Sequence, residues 1–291
     1  MFFQFRPVRI INQKNQGGIA MKIIDAHLHF RPGHSYFDEI AVKAGHINTE
    51  EHLKNCFTEY GICGGIVMGN QGLSPERNQY PSFLHYCVGV DADRLTGSNK
   101  IRSLDQTEEN LKRENCVGIK LYPGYSPVSI NDSRYEPIYE LAAAYRKPVA
   151  VHMGQTAGSH AFLKYSHPLT MDEAAVLHPH VQFVMCHFGN PWLMDAAAVI
   201  EKNENVAADL SGLLEGKLNM ELFLKEQHGY IEALRTWISY VSDYEKIMFG
   251  TDWPLPNYEN YISFISQIIP ERFQDDVFFK SAERIYGCRF N

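Results

Sequence analysis

The sequence predicts a single (β/α)₈ barrel, the TIM barrel, in which eight parallel strands are surrounded by helices. Eight short apolar runs alternate with amphipathic segments from Met21 onward, and no glycine-rich phosphate turn follows the first run. The alternation favours a closed parallel barrel, and the missing turn disfavours an open dinucleotide-binding sheet. Such a barrel needs about 250 residues, and the chain has 291.

The predicted strands are short, and several are bounded by Gly, Asn or Pro, as is typical of buried parallel strands. They cover residues 22–26, 64–68, 86–90, 117–121, 148–151, 181–186, 206–210 and 247–250. Helices are predicted over 49–60, 105–114, 135–146, 171–177, 192–202 and 221–242, with two more in the tail, 257–287. The segment 49–60 shows the pattern, because Thr49 precedes two glutamates and Leu53 and Phe57 recur at helical spacing.

One domain is predicted over residues 21–291, and residues 1–20 are predicted to be an extension outside the core. Arg6 and Arg9 interrupt the apolar residues of this extension, so it lacks the continuous apolar core of a signal peptide. Met21 is therefore the expected start of the natural protein.

The composition is that of an ordinary soluble protein, with 45% hydrophobic and 21% charged residues. The net charge is −7 and the basic residues are scattered, which argues against binding to nucleic acid. No apolar stretch reaches the roughly 18 residues of a membrane span. The six cysteines include no CxxC pair, which favours buried thiols in a reducing, cytoplasmic compartment. The expected partner is a small-molecule substrate, and the sequence leaves open whether the protein forms a homo-oligomer.

The residues that carry chemistry stand at the C-terminal ends of predicted strands, where a barrel has its active site. His27 and His29 end the first strand. Because they are two residues apart in a strand, both imidazoles point to the same side. The later strands end in Lys120, His152, His187 and Asp252. Imidazoles and a carboxylate suit Zn²⁺ or another divalent transition metal, whereas Ca²⁺ and Mg²⁺ prefer oxygen ligands.

Each of these residues also has an ordinary structural interpretation. A lone His-x-His pair is weak evidence, Asp252 could cap a helix, and Lys120 could extend its ammonium from a strand end. Their joint occurrence at the ends of different predicted strands favours a metal site.

These residues resemble the amidohydrolase superfamily over essentially the whole chain from Met21. The segments IIDAHLHF, VGIKLYPG, VAVHMG, MCHFGNPW, FGTDWP and SAERIYG are similar to its amidohydrolase-related branch, which includes aminocarboxymuconate-semialdehyde decarboxylase. The resemblance implies that the metal ligands are His27, His29, His152 and Asp252. It implies that His187 either orients the attacking water or binds a second metal.

Two features also resemble dihydroorotase. Lys120 stands in Lys-Leu-Tyr-Pro and Arg31 in His-x-His-x-Arg. The resemblance implies a carboxylated Lys120 that bridges two metals, or otherwise a positive charge for the substrate, and an Arg31 that binds a substrate carboxylate. One metal is favoured, because many members of the closer branch use one. Tyr122 and Trp253, beside the rim, are expected to contact the substrate.

The function expected from this site is hydrolysis of an ester, lactone or amide in a small substrate that bears a carboxylate. The metal would lower the pKa of a water towards about 7. Asp252 would take the proton and pass it to the leaving group, with His187 or Lys120 stabilising the oxyanion. A decarboxylase of an unsaturated or aromatic acid would use the same ligands. A non-catalytic binding barrel is disfavoured because every ligand position is intact.

Three long connections, 31–48, 71–80 and 155–167, are expected to be lids over the site. They carry four histidines that have no partner at ligand spacing, namely His34, His46, His160 and His167. These are expected to be exposed or to face the substrate rather than bind metal. Asp25, two residues before His27, is expected to be structural.

Overall fold

The computed structural model describes residues 21–290, so the predicted extension 1–20 lies outside the described residues. Eight parallel strands form one sheet in sequential order. They are β1 (Ile23–Leu28), β2 (Ile62–Met68), β3 (Leu84–Val90), β4 (Cys116–Leu121), β5 (Val149–Val151), β6 (Phe183–Met185), β7 (Val206–Asp209) and β8 (Ile247–Met248). Each overlaps the run predicted for it, and the predicted (β/α)₈ barrel is confirmed.

Backbone hydrogen bonds close the barrel between β1 and the segment around β8. The amide of Ala26 donates to the Phe249 carbonyl at 3.0 Å, and the amide of His29 donates to the Trp253 carbonyl at 2.8 Å. These bonds hold the ends of the first and last strands side by side, and both ends carry predicted metal ligands.

Helices surround the strands. They are α1 (Ser35–Lys43), α2 (Glu50–Tyr60), α3 (Asn99–Leu111), α4 (Glu136–Tyr145), α5 (Leu169–Leu177), α6 (Leu193–Lys202), α7 (Met220–Glu226), α8 (His228–Val241), α9 (Tyr258–Ile268) and α10 (Ser281–Tyr286). Within residues 21–290, no helix is both long enough and apolar enough to cross a membrane.

Two predictions about the helices are wrong. The predicted connection 31–48 contains α1, which gives little sequence signal because His34 makes no capping hydrogen bond and only Phe37 and Ala41 are buried. The single helix predicted over 221–242 is two helices. Gln227, at φ −100° and ψ 23°, leaves the helical region and ends α7.

The barrel interior is apolar in its lower half. Side chains from the strands pack there against the C-terminal segment, which closes the bottom with Ile285, Tyr286, Cys288 and Phe290. Above this layer the interior turns polar, with Lys120 and Asp209 both fully buried. The six cysteines are free thiols and five of them are buried, as the sequence predicts.

Candidate metal centre

A β-bulge in β1 aims the two histidines of the first strand at the barrel centre. Asp25 points outward, where the Tyr258 hydroxyl donates to it at 2.9 Å. Unbroken alternation would turn His27 the same way. Between Asp25 and Leu28, however, β1 has one more residue than β2 opposite it. Such a bulge shifts the alternation by one residue, so that His27 and His29 face inward.

Asp252 lies against both imidazoles. Its Oδ1 is 3.2 Å from His29 Nε2 and 3.5 Å from His27 Nε2. Asp252 has φ +66°, in the left-handed region that residues other than glycine rarely adopt. Its amide donates to the His27 carbonyl at 2.7 Å. This bond holds the carboxylate in place beside β1.

The ring orientation of the first two histidines follows from their other neighbours. His27 Nδ1 lies 2.9 Å from Asp209 Oδ2, and His29 Nδ1 lies 3.1 Å from the Met68 carbonyl. A carboxylate and a carbonyl only accept hydrogen bonds, so each ring carries its proton on Nδ1. The Nε2 lone pair of both rings is therefore available to a metal.

His152 is oriented through His187. His187 Nδ1 lies 3.2 Å from the Ser211 carbonyl, which places its proton on Nδ1. Its Nε2 then accepts from His152 Nδ1, 3.0 Å away, and the Nε2 lone pair of His152 is left free. His187 itself has φ +62°, which departs from regular strand geometry just after β6. In this arrangement His187 positions His152; its predicted roles towards water or a second metal stay predictions.

Three atoms at the centre are buried without a hydrogen-bond partner among residues 21–290: His27 Nε2, His152 Nε2 and Asp252 Oδ1. Unpartnered buried polar atoms are destabilising and uncommon in folded proteins. A divalent cation between His27 and Asp252 would satisfy two of them, because their ligand atoms and that of His29 lie within 4.8 Å of one another. Imidazoles with one carboxylate form a donor set that suits transition metals. The residues present therefore fit the predicted metal.

The protonation states also suit metal binding. Burial lowers the pKa of His152 well below its usual value and that of His187 to about 4, so both rings are neutral. Burial alone would raise the pKa of Asp252, but the imidazoles beside it, His29 first and then His27, hold this pKa below its usual range. Neutral imidazoles and an ionised carboxylate are the forms that bind metal.

Asp209 is a site residue that the sequence reasoning missed. It ends β7, is fully buried, and accepts from the His187 amide at 3.0 Å and the Ser211 amide at 3.1 Å as well as from His27. Burial would raise its pKa, but His27 and His187 hold it below its usual range. A carboxylate behind a ligating histidine fixes the ring and raises its basicity. The sequence signal that could have identified Asp209 is its position at the C-terminal end of a strand. The other site residues were predicted from the same position.

Lys120 lies beneath the ligands rather than at the surface of the site. It is fully buried, and its ammonium donates to Cys186 Sγ at 2.8 Å. The same nitrogen is 5.1 Å from the centre of the Tyr122 ring. After burial, the charge of Lys120 is among the causes that lower the pKa of His27 and His152. Lys120 thus helps to keep these imidazoles neutral, and its carboxylation stays a prediction.

The predicted substrate contacts lie around this centre at different depths. Arg31 is partly buried, and its guanidinium makes no ion pair within residues 21–290. The Tyr122 hydroxyl donates to the Met68 and Gly69 carbonyls at 3.2 and 3.1 Å. Trp253 is only 1% exposed, so it lies behind the metal ligands rather than at the surface.

Asp25 joins β1 to the end of the barrel. It accepts hydrogen bonds from the Thr251 amide at 2.9 Å and the Thr251 hydroxyl at 2.6 Å. Burial raises the pKa of Asp25 to about 7 against these hydrogen bonds. These contacts stabilise the fold, which is the structural role that the sequence predicts for Asp25.

The histidines of the long connections divide into two kinds. His160 is exposed, as predicted, and His34 and His167 are partly exposed. His46 is 6% exposed, and its Nδ1 lies 3.0 Å from His52 Nε2. The prediction that His46 is exposed or faces the substrate is therefore wrong, since it is buried between α2 and Trp253. Its partners come from α2, and the sequence spacing alone did not indicate that α2 packs against this connection.

Comparison with known proteins identifies the family. The amidohydrolase family matches residues 24–288, and the chain belongs to it. No curated protein matches the chain.

Solved structures share the fold at low sequence identity. An uncharacterized TIM-barrel protein from Bordetella bronchiseptica has a TM-score of 0.68 and 18% identity, covering 91% of this chain and 98% of its own. A probable 2-pyrone-4,6-dicarboxylic acid hydrolase from Acinetobacter baumannii has a TM-score of 0.60 and 15% identity, covering 93% and 100%. A dihydroxybenzoic acid decarboxylase from Polaromonas, with bound manganese, has a TM-score of 0.61 and 14% identity, covering 92% and 97%.

Proposed function

We propose that this amidohydrolase is a hydrolase that holds one divalent transition metal on His27, His29, His152 and Asp252. Its substrate is a small ester, lactone or amide that bears a carboxylate. The observation that carries the proposal is the convergence of His27, His29 and Asp252, whose ligand atoms lie within 4.8 Å of one another. His152, after β5, adds a buried Nε2 that has no hydrogen-bond partner among residues 21–290. The structural likeness to a probable 2-pyrone-4,6-dicarboxylic acid hydrolase supports it, since that name describes a lactone with carboxylates.

His27, His29, His152 and Asp252 would hold the divalent ion, which when bound would supply an activated water at neutral pH. Asp252 directs Oδ1 towards the imidazoles, so its Oδ2 is the atom that accepts a proton and returns it to the leaving group. Because Asp252 is ionised, it can act as the base. Asp209 and the Met68 carbonyl keep the rings of His27 and His29 fixed while the proton moves.

Arg31 is the group that we assign to the substrate carboxylate. It lies two residues beyond His29, and no acidic partner within residues 21–290 neutralises it. A guanidinium binds a carboxylate through two parallel hydrogen bonds, which fixes orientation as well as position. In this proposal Arg31 aligns the scissile bond with Asp252.

A decarboxylase of an aromatic or unsaturated acid is the second candidate. Aromatic rings lie beside two of the ligands: Tyr125, 44% exposed, is 5.1 Å from His152, and Phe37 is 5.6 Å from His29. Such rings suit a flat substrate. The resemblance of the sequence to the branch with aminocarboxymuconate-semialdehyde decarboxylase favours this candidate, as does the likeness to the manganese-containing decarboxylase.

A substrate screen separates the two candidates. Purified enzyme supplied with Zn²⁺ or Mn²⁺ is assayed against lactones, esters and amides that bear carboxylates, and against hydroxylated aromatic acids with detection of CO₂. Hydrolysis that disappears in Asp252→Asn but persists in Glu201→Gln, an exposed carboxylate on α6, is the expected result. Release of CO₂ without any hydrolysis would replace the primary proposal by the second. If the purified protein showed neither activity and bound no metal, the non-catalytic binding barrel would be favoured.

A further inference from the structure

A second group of metal-binding side chains lies outside the barrel. It consists of His46, from the connection after α1, and His52 and Cys56 from α2, and is named here the outer cluster. His52 and Cys56 are four residues apart on α2, so they lie on the same face of the helix. His46 packs onto that face and makes this a site of three converging donors.

The distances within the outer cluster approach those of a tetrahedral metal site. His46 Nδ1 and His52 Nε2 are 3.0 Å apart, and Cys56 Sγ is 3.5 Å from His52 Nε2 and 4.0 Å from His46 Nδ1. Ligands at zinc-like bond lengths are separated by about 3.3 Å between two nitrogens and about 3.6 Å between nitrogen and sulfur. Shifts of a few tenths of an ångström would bring the three atoms to these separations.

The surroundings also suit a bound ion. Cys56 is 5% exposed, and His46 Nε2 is buried without a hydrogen-bond partner among residues 21–290. A neutral His46 that binds an ion through Nδ1 carries its proton on Nε2. His52 is only partly buried, so one side stays open for a water as the fourth ligand.

We propose that the outer cluster binds a second transition metal ion of the Zn²⁺ type, separate from the ion of the barrel centre. Two imidazoles and a thiolate are ligands that zinc uses in structural sites. The His46 ring lies 4.4 Å from the ring of Trp253, the residue after Asp252. A bound ion therefore ties the connection 31–48 to α2 and supports the end of the barrel behind the active site.

Titration with Co²⁺ tests the proposal, because a thiolate ligand gives a charge-transfer absorption in the near ultraviolet. The purified chain, stripped of metal, is titrated with Co²⁺ alone, and bound metal is counted after dialysis. Wild type is compared with Cys56→Ala and with His52→Ala, whose partly exposed side chain makes misfolding a minor concern. Cys63→Ala is the matched control, since Cys63 is a partly buried thiol outside the cluster.

The expected result is one more equivalent of metal in wild type and Cys63→Ala than in the two cluster variants. The charge-transfer absorption should be lost in Cys56→Ala and kept in Asp252→Asn. A failure of the proposal for the barrel centre would therefore leave this absorption unchanged. Zn²⁺ should also raise the unfolding temperature less in His52→Ala than in wild type. Equal stoichiometry in all proteins, or an absorption that is lost in Cys186→Ala instead, would overturn the proposal.

Discussion

The barrel centre and the outer cluster use the same kinds of side chain but hold them differently. In the barrel centre the donors come from the ends of β1, β5 and β8, and the Nδ1 atoms of His27 and His29 are bound to fixed acceptors. In the outer cluster the donors come from one connection and one helix, and the two imidazoles face each other. Strand ends and orienting partners prepare the barrel centre before metal binds, whereas the two imidazoles of the outer cluster, 3.0 Å apart, must separate slightly to admit an ion.

The largest effect is expected from Asp252→Asn. The change replaces a charged metal ligand by a neutral amide and removes the proton acceptor in one step, so kcat/KM should fall by about 10³-fold or more. Steady-state kinetics with the substrate found in the screen would measure it, with Glu201→Gln as control. A variant that keeps more than a tenth of the activity would contradict the place of Asp252 in the reaction.

Asp209→Asn tests whether the barrel centre owes its metal affinity to orienting partners. The amide oxygen can still accept from His27 Nδ1, but the charge that makes the ring a better ligand is lost. The metal dissociation constant should rise by about 10–100-fold. Calorimetric titration with Zn²⁺ would measure the change, and an unaltered affinity would mean that Asp209 serves the fold alone.

Gly212→Ala tests how tightly the barrel centre is packed. A methyl group at this position, where φ is +64°, would lie 2.9 Å from His187 Nδ1 and 3.3 Å from Asp252 Oδ2. Gly33 is a matched control, because it has φ +78° but open space around it. Both variants incur a left-handed backbone cost of about 1–2 kcal/mol, and Gly212→Ala should lose about 1 kcal/mol more from crowding. Urea unfolding would show the difference; equal losses would contradict close packing at Gly212.

The smallest effect is expected from His52→Ala. The outer cluster packs on Trp253 and Tyr258, neither of which is a proposed metal ligand. The kcat/KM should therefore change by less than about twofold, within the range usual for a partly exposed substitution. The same kinetic assay measures it. A large loss of activity would show that the two regions are coupled more strongly than their separate ligands indicate.

Much of the fold and of the barrel centre could be predicted from residue patterns. The alternation of apolar runs and helices is local, and it indicated all eight strands. His29, His152 and Asp252 stand at strand ends where the barrel rule places a site. Asp209 obeys the same rule and went unnoticed, because a single carboxylate after Val-Ala-Ala has no motif around it. The helix α1 went unnoticed because its cap and its buried face are both weak.

The sequence by itself determined the barrel, the residue types at its rim and the class of ion that suits them. The tertiary structure alone decided which atoms meet. A bulge that depends on pairing with β2 turns His27 inward, and a left-handed His187 reaches His152 from the end of β6. Partners far apart in the chain, such as Asp209 for His27, follow from strand register and helix packing. These are long-range properties, and local spacing cannot encode them.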